Sequence, residues 1–128
     1  MLPKKVLIID DEKMIRLTTG FLIKKKGMEA IEAAGGEQGL ALLEQQRPDM
    51  VLLDIMMPLM DGWEVLKKIR ASKDFSQIPV VIFTAGDFLE AKKNAKDAGI
   101  QGLVRKPFHI EELLKVLDTA GEGGTYGQ

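Results

Sequence analysis

Five short apolar segments alternate with five helical patterns along the 128 residues of the chain, and this alternation restricts the possible fold more than any other feature. Three of the segments are β-branched and almost uniformly apolar, as expected for strands buried on both faces of a parallel sheet. Two others, at residues 28–34 and 102–106, alternate or end in polar residues and suit the edges of a sheet. The three apolar segments are KVLIID at 5–10, DMVLLD at 49–54 and PVVIFTA at 79–85.

Apolar side chains in the segments between and after these strands recur at the spacing of a helix. In the first helical pattern they place Met14, Leu17 and Phe21 on one side, and Gly27 follows as a stop signal. The predicted helices cover residues 12–26, 37–47, 62–70, 87–98 and 110–119.

This order of elements predicts an α/β fold. Alternating strands and helices form a parallel sheet with right-handed crossovers and helices on both faces. With three central strands and two edge strands, we expect the doubly wound, flavodoxin-like order 2-1-3-4-5. We expect one domain over residues 1–120 and a disordered, Gly-rich tail over residues 121–128.

The composition excludes several classes of function. The chain has no cysteine, which excludes disulfides and Cys-based zinc sites, and its single histidine, His109, excludes a His-cluster metal site. A net charge of -1 argues against a broad nucleic-acid-binding surface. The sequence has neither an apolar stretch of about 20 residues nor a signal-peptide pattern. We therefore expect a cytoplasmic protein that does not bind membranes.

Polar residues collect at the carboxyl ends of the predicted strands, where doubly wound sheets bind their ligands. The first strand ends in Asp10 and Asp11, the third in Asp54, the fourth in Thr84 and the fifth in Lys106. In the predicted strand order, three carboxylates converge beside a hydroxyl and an ammonium group. Carboxylates in such a group repel one another unless a cation joins them, and Mg²⁺ prefers oxygen ligands. An aspartate beside this cation can act as a nucleophile toward phosphorus.

Four short stretches carry these residues: IIDDE, LLDIMMPLMDGWE, VIFTA and VRKPF. In this order and spacing they resemble the signature segments of response-regulator receiver domains, the phosphoacceptor half of two-component signalling. The resemblance covers residues 5 to 119. It implies a signalling domain that accepts a phosphoryl group from a histidine kinase or phosphotransfer protein, with Mg²⁺ or Mn²⁺ as cofactor. It implies no enzyme activity beyond slow self-dephosphorylation.

The resemblance also assigns the residues of the metal site. It makes Asp54 the phosphoacceptor, and it makes Asp11 and Asp54 direct ligands of the cation. Asp10 assists, often through a water molecule, and the main-chain carbonyl of Met56 completes the ligands from the protein.

The same resemblance describes how a signal leaves the site. Thr84 is the switch hydroxyl, Lys106 pairs with the phosphoryl group, and the Lys106–Pro107 peptide bond is cis. An output partner binds the face formed by the fourth helix, fifth strand and fifth helix. One position departs from the family pattern: the residue three before the lysine is often Tyr or Phe and is Leu103 here. We therefore expect Leu103 to contribute little to the switch.

Other functions fit the sequence less well. A phosphatase of the haloacid-dehalogenase type has two aspartates one residue apart, whereas Ile55 and Met56 follow Asp54. A flavin or nucleotide binder needs a Gly-rich or Ser/Thr-rich phosphate loop after the first strand, where this chain has DDEKM. A receiver domain that serves only for docking disagrees with the complete acidic set. Asp11 has an alternative role as the N-cap of the first helix.

Overall fold

The chain folds into a single parallel sheet with helices on both faces, as predicted. The structure is a computed structural model and describes residues 2–85, 88–95 and 98–122. The sheet has five strands in the order β2-β1-β3-β4-β5, which confirms the predicted order. The strands are β1 Lys5–Ile9, β2 Glu29–Ala33, β3 Met50–Asp54, β4 Val80–Thr84 and β5 Gly102–Arg105, and the helices are α1 Lys13–Lys25, α2 Gly36–Gln46, α3 Gly62–Ala71, α4 Phe88–Ala95 and α5 Ile110–Gly121.

The apolar core lies in two layers, one on each face of the sheet. Strands β3 and β4 are buried along their whole length, as their uniform apolar sequences predict. Alternate residues of the central strands pack against α2, α3 and α4 on one face and against α1 and α5 on the other. The partly exposed strands β2 and β5 lie at the two edges. The sheet therefore holds the carboxyl ends of β1, β3 and β4 in fixed positions.

The buried face of α1 differs from the face that apolar spacing indicates. Met14, Leu17 and Phe21 are 73%, 44% and 63% exposed. The opposite side of the helix, which includes Gly20, faces the sheet. Glu32 of β2 lies beneath this side, and a Cβ atom on Gly20 would be 3.1 Å from the carboxylate Oε2 of Glu32. The helix therefore turns a small residue inward because a carboxylate occupies the space below it.

The ends of several elements match the signals in the sequence. Gly27 follows α1 with a φ angle of 89°, and Gly99 follows α4 with a φ angle of 69°, which is the left-handed conformation that glycine adopts without strain. Helix α5 continues to Gly121, one residue beyond the predicted end of the domain at residue 120. Residues 123–128 of the predicted tail lie outside the described residues, so its disorder stays a prediction. No described helix is long and apolar enough to cross a membrane.

Candidate functional site

Two buried aspartates lie side by side at the carboxyl edge of the sheet. Strands β1 and β3 pair in parallel, with Ile9 opposite Leu53, so the residues that follow these two positions emerge together. These residues are Asp10 and Asp54, which are 0% and 1% exposed. Burial of a carboxylate is costly unless a charged or hydrogen-bonding partner compensates it.

That partner is Lys106, which follows β5 and is 6% exposed. Its Nζ atom lies 2.8 Å from Oδ2 of Asp10, 3.4 Å from Oδ2 of Asp54 and 3.4 Å from Oε1 of Glu12. One buried ammonium group therefore faces three carboxylates, which leaves an excess of negative charge. The Lys106–Pro107 peptide bond is cis, the isomer that the family resemblance implies.

The third carboxylate of this group belongs to Glu12, and the role of Asp11 as a direct metal ligand, which the family resemblance implies, stays a prediction. Oxygens of Asp10, Glu12 and Asp54 all lie within 4.8 Å of one another. The backbone N–H of Glu12 donates to Oδ1 of Asp10 at 2.9 Å, and this turn keeps Glu12 next to the site. Asp11 is exposed and lines a cleft of about 560 Å³ together with residues of the loop after β3.

Helix α1 begins one residue later than the alternative role of Asp11 as its N-cap requires. The N-cap of α1 is Glu12, with no hydrogen bond from its side chain to the helix. Asp11 is therefore not the N-cap. Glu12 is the last residue of the IIDDE stretch. Its position two residues after Asp10 and its long side chain are the sequence features that indicate that it can reach the site.

Burial dominates the ionisation of the phosphoacceptor candidate. It raises the pKa of Asp54 from 3.8 to about 7, against the lowering effects of the Met56 backbone N–H and the charge of Lys106. The charge of Asp10 and its hydrogen bond to Asp54 raise this pKa further. The Met56 N–H donates to Oδ1 of Asp54 at 3.1 Å. A cation bound among these carboxylates would favour the ionised form.

The pKa of Lys106 is also raised, but here burial opposes the shift. Its burial lowers its pKa, but the hydrogen bond to Asp10 and the charges of Asp54, Asp10 and Glu12 raise it more, so the net change is upward. Lys106 therefore stays charged at neutral pH and remains a fixed positive charge next to Asp54.

A close approach between α3 and the end of β3 fixes the loop that follows Asp54. Asp61 caps α3 by accepting a hydrogen bond from the Glu64 N–H at 3.0 Å, as its position at the predicted helix start indicates. Any Cβ at Gly62 would lie 2.5 Å from the main-chain oxygen of Asp54 and 2.5 Å from Cα of Ile55. Only glycine fits here. The sequence alone gives no sign of this requirement, because the close approach involves residues of β3 and of the loop after it.

The predicted switch residue Thr84 lies at the end of β4 and is 1% exposed. Its main-chain carbonyl accepts a hydrogen bond from the Lys106 N–H at 2.9 Å. With Met56 and Trp63, Thr84 lines a cleft of about 520 Å³ between the loop after β3 and helix α4. Leu103 is half-buried and packs against the core on the α4 side of the sheet. The structure thus brings Asp10, Asp54 and Lys106 into contact, with Thr84 on the strand beside Asp54.

The family model described as response regulator receiver domain matches residues 6–118 of the chain. The chain therefore belongs to the response regulator receiver domains of two-component systems. This is a family of signalling domains, not of classical enzymes, and its members bind Mg²⁺ at an acidic pocket.

Several curated proteins are similar to the chain. It is 37% identical over 113 residues to sporulation initiation phosphotransferase F of Bacillus subtilis, covering 88% of this chain and 90% of that protein. It is 37% identical over 110 residues to protein PilG of Pseudomonas aeruginosa, covering 86% and 82%. Response regulator MprA of Mycolicibacterium vanbaalenii is 34% identical over 113 residues, which are 88% of this chain but 48% of that protein. The chain thus spans about half the length of MprA and most of the other two.

Solved structures show the same architecture. The chemotaxis response regulator CheY4 of Vibrio cholerae superposes with a TM-score of 0.83 at 34% identity, covering 91% of this chain and 97% of that one. The receiver domain of the Francisella response regulator 1452 gives a TM-score of 0.82 at 31% identity, covering 93% and 97%.

Proposed function

We propose that Asp54 accepts a phosphoryl group from a phosphohistidine of a histidine kinase or phosphotransfer protein. A carboxylate oxygen of Asp54 forms the new bond to phosphorus, and the bond from phosphorus to the imidazole nitrogen of the donor breaks. The observation that carries this proposal is the buried position of Asp54 at the end of β3, 3.4 Å from the ammonium group of Lys106. Receiver domains as a family act with such kinases or phosphotransfer proteins and with output domains.

The donor set suits a hard divalent cation. Three carboxylates whose oxygens lie within 4.8 Å of one another offer the ligands that Mg²⁺ prefers, and one ammonium group does not balance their charge. We propose that Asp10, Asp54 and the main-chain carbonyl of Met56 hold Mg²⁺ or Mn²⁺. We propose Asp11, the direct ligand that the family resemblance implies, as the remaining carboxylate. The carboxylate of Glu12 lies within 4.8 Å of those of Asp10 and Asp54 and adds negative charge to the site. When bound, the cation supplies charge stabilisation for the oxygens of the transferred group.

The protein's own residues account for the rest of the proposed chemistry. Lys106 stays charged and can move its hydrogen bonds from carboxylates to a phosphoryl oxygen, where a charge-assisted bond is stronger than a neutral one. Thr84, on the strand next to β3, donates a hydrogen bond from its hydroxyl to a second phosphoryl oxygen. Slow release of the group by water, without a separate enzyme, completes the proposed cycle.

The direct test is intact mass spectrometry after incubation with acetyl phosphate. With Mg²⁺ the protein should gain one phosphoryl group, and with EDTA it should gain none, because the carboxylates then repel the incoming group. Equal gain in both conditions would disprove the role of the metal. No gain with Mg²⁺ would disprove the proposed function.

We further propose that the signal reaches the face of α4, β5 and α5 mainly through the backbone after Thr84. Leu103 lacks the polar tip of the usual aromatic residue, so it has no reason to exchange between solvent and interior. Beryllofluoride, a phosphoryl mimic, should therefore cause large backbone NMR shifts over residues 84–92 and small methyl shifts at Leu103. We expect the chain to bend at Gly86, which lies outside the described residues. A large methyl shift at Leu103 with an unmoved backbone over 84–92 would contradict this route.

A further inference from the structure

We infer that Arg16 is a positioning residue for the proposed reaction. Held by Glu32, its guanidinium group fixes the main-chain carbonyl of Asp10 and thereby the loop between β1 and α1 that carries the acidic residues. This inference rests on the function proposed above, because it concerns the same metal and phosphoryl site. It adds two residues that do not belong to the acidic pocket itself.

The contacts of Arg16 define this role. Its Nη1 atom donates a hydrogen bond to the main-chain oxygen of Asp10 at 2.8 Å. Its Nε atom lies 3.5 Å from Oε1 of Glu32. The two side chains are 15% and 24% exposed, so water screens this ion pair less than it screens a surface pair. Asp10 lies one residue beyond the end of β1, where the sheet no longer determines the orientation of its carbonyl.

The hydrogen bonds that Asp10 makes with N–H and ammonium groups fall into two classes. The Glu12 N–H and the Lys106 ammonium group bind its carboxylate at 2.9 and 2.8 Å. These two bonds have to rearrange when a cation or a phosphoryl group enters. The N–H of Asp10 donates to the Ala33 carbonyl at 3.1 Å, and the carbonyl of Asp10 accepts a hydrogen bond from the Arg16 guanidinium group at 2.8 Å. These two bonds hold only the backbone, so the loop can keep its position while the carboxylate changes partners.

The space for this arrangement comes from Gly20, one helical turn after Arg16. A Cβ atom at Gly20 would be 3.1 Å from Oε2 of Glu32. Glycine inside a helix costs up to about 1 kcal/mol relative to alanine. The glycine is explained if the helix must leave room for the carboxylate that holds Arg16. A planar guanidinium group can serve the carbonyl and the carboxylate together, which a lysine ammonium group does less well.

The test measures Mg²⁺ binding by the folded, metal-free protein. Calorimetry or the fluorescence of Trp63, the single tryptophan, gives the dissociation constant for wild type, Arg16→Ala and Arg16→Lys. Loss of a residue that orients a metal ligand typically weakens metal binding about 10- to 100-fold. We expect a weakening in this range for Arg16→Ala and a smaller one for Arg16→Lys. In the acetyl phosphate reaction, the Mg²⁺ concentration for half-maximal rate should rise more than the maximal rate falls.

Arg70 provides a matched control, because it makes the same kind of contact with main-chain oxygens near strands β4 and β5, away from the acidic site. It donates to the main-chain oxygens of Ile78 and Gly99, both at 2.8 Å, just before β4 and β5 begin. Arg70→Ala should lower the melting temperature and leave the Mg²⁺ dissociation constant unchanged. A structural effect alone would make the Arg16 and Arg70 variants behave alike.

One outcome overturns the inference alone, and a different outcome overturns the function on which it rests. Folded Arg16→Ala and Arg16→Lys variants with the Mg²⁺ affinity of wild type would show that Arg16 does not position the site. If Arg16→Ala does not fold, Arg16→Lys and Glu32→Gln decide the question, because both keep a side chain of similar length. Wild-type protein that binds no Mg²⁺ and gains no phosphoryl group would refute the proposed function itself. If the wild type binds Mg²⁺ and gains the group, and the Arg16 variants do so equally well, only the role of Arg16 is refuted.

Discussion

Asp54→Asn should abolish the gain of a phosphoryl group from acetyl phosphate. The amide has nearly the shape of the carboxylate, so it fits the buried position at the end of β3, but it is not a nucleophile toward phosphorus at neutral pH. The neighbouring aspartate that could take its place is Asp10, whose Oδ2 lies 2.8 Å from Nζ of Lys106. Asp10 is already bound by Lys106 and by the N–H of Glu12. Intact mass and mapping of the modified peptide measure the outcome.

Asp61→Asn is the matched control. Asp61 lies in the same loop and caps α3 through a side-chain oxygen, and asparagine caps helices about as well as aspartate. This variant should gain the phosphoryl group as wild type does. A gain that survives in Asp54→Asn, or disappears in Asp61→Asn, would place the phosphoacceptor elsewhere.

The strands and their carboxyl ends could be predicted because the controlling signals are local. Uniformly apolar runs identify β1, β3 and β4, and the polar residue that ends each run must lie at the edge of the sheet. Asp54 and Lys106 therefore follow from the order of the elements. Lys106 reaches Asp10 past the ends of β3 and β4, so the strand order places the two residues at the same edge of the sheet but does not by itself fix their contact.

The two differences arise where long-range packing decides the result. Apolar spacing in α1 indicates the wrong face, because the carboxylate of Glu32 comes from a strand and is not visible in the helix sequence. The choice between Asp11 and Glu12 depends on the turn that the Glu12 N–H makes with Asp10. Neighbouring acidic residues look alike in sequence. The path of the backbone brings the Glu12 carboxylate to those of Asp10 and Asp54, and the role of Asp11 as a metal ligand stays a prediction.

The metal-free protein should lose stability as the pH rises from about 4 to about 7. In the folded state the pKa of Asp54 is about 7, compared with an ordinary value of 3.8. Between these values the unfolded chain has released a proton that the folded chain still holds. Stability decreases with pH wherever the folded state binds more protons. The contribution of Asp54 is therefore fully present below its ordinary pKa and is lost as the pH approaches 7, on the order of 4 kcal/mol at most.

The difference between wild type and Asp54→Asn isolates this contribution, because the other carboxylates are common to both. Urea unfolding in EDTA from pH 4 to pH 8 should give free energies of unfolding that fall more steeply for wild type, so that the variant is the more stable protein at pH 8. Saturating Mg²⁺ should reduce the slope for wild type, because a ligand that binds only the folded state with ionised carboxylates stabilises that state. A difference that stays constant across the pH range would show that Asp54 ionises normally. A wild type that gains stability over the variant with rising pH would show that the attraction of Lys106 for the ionised carboxylate outweighs its burial.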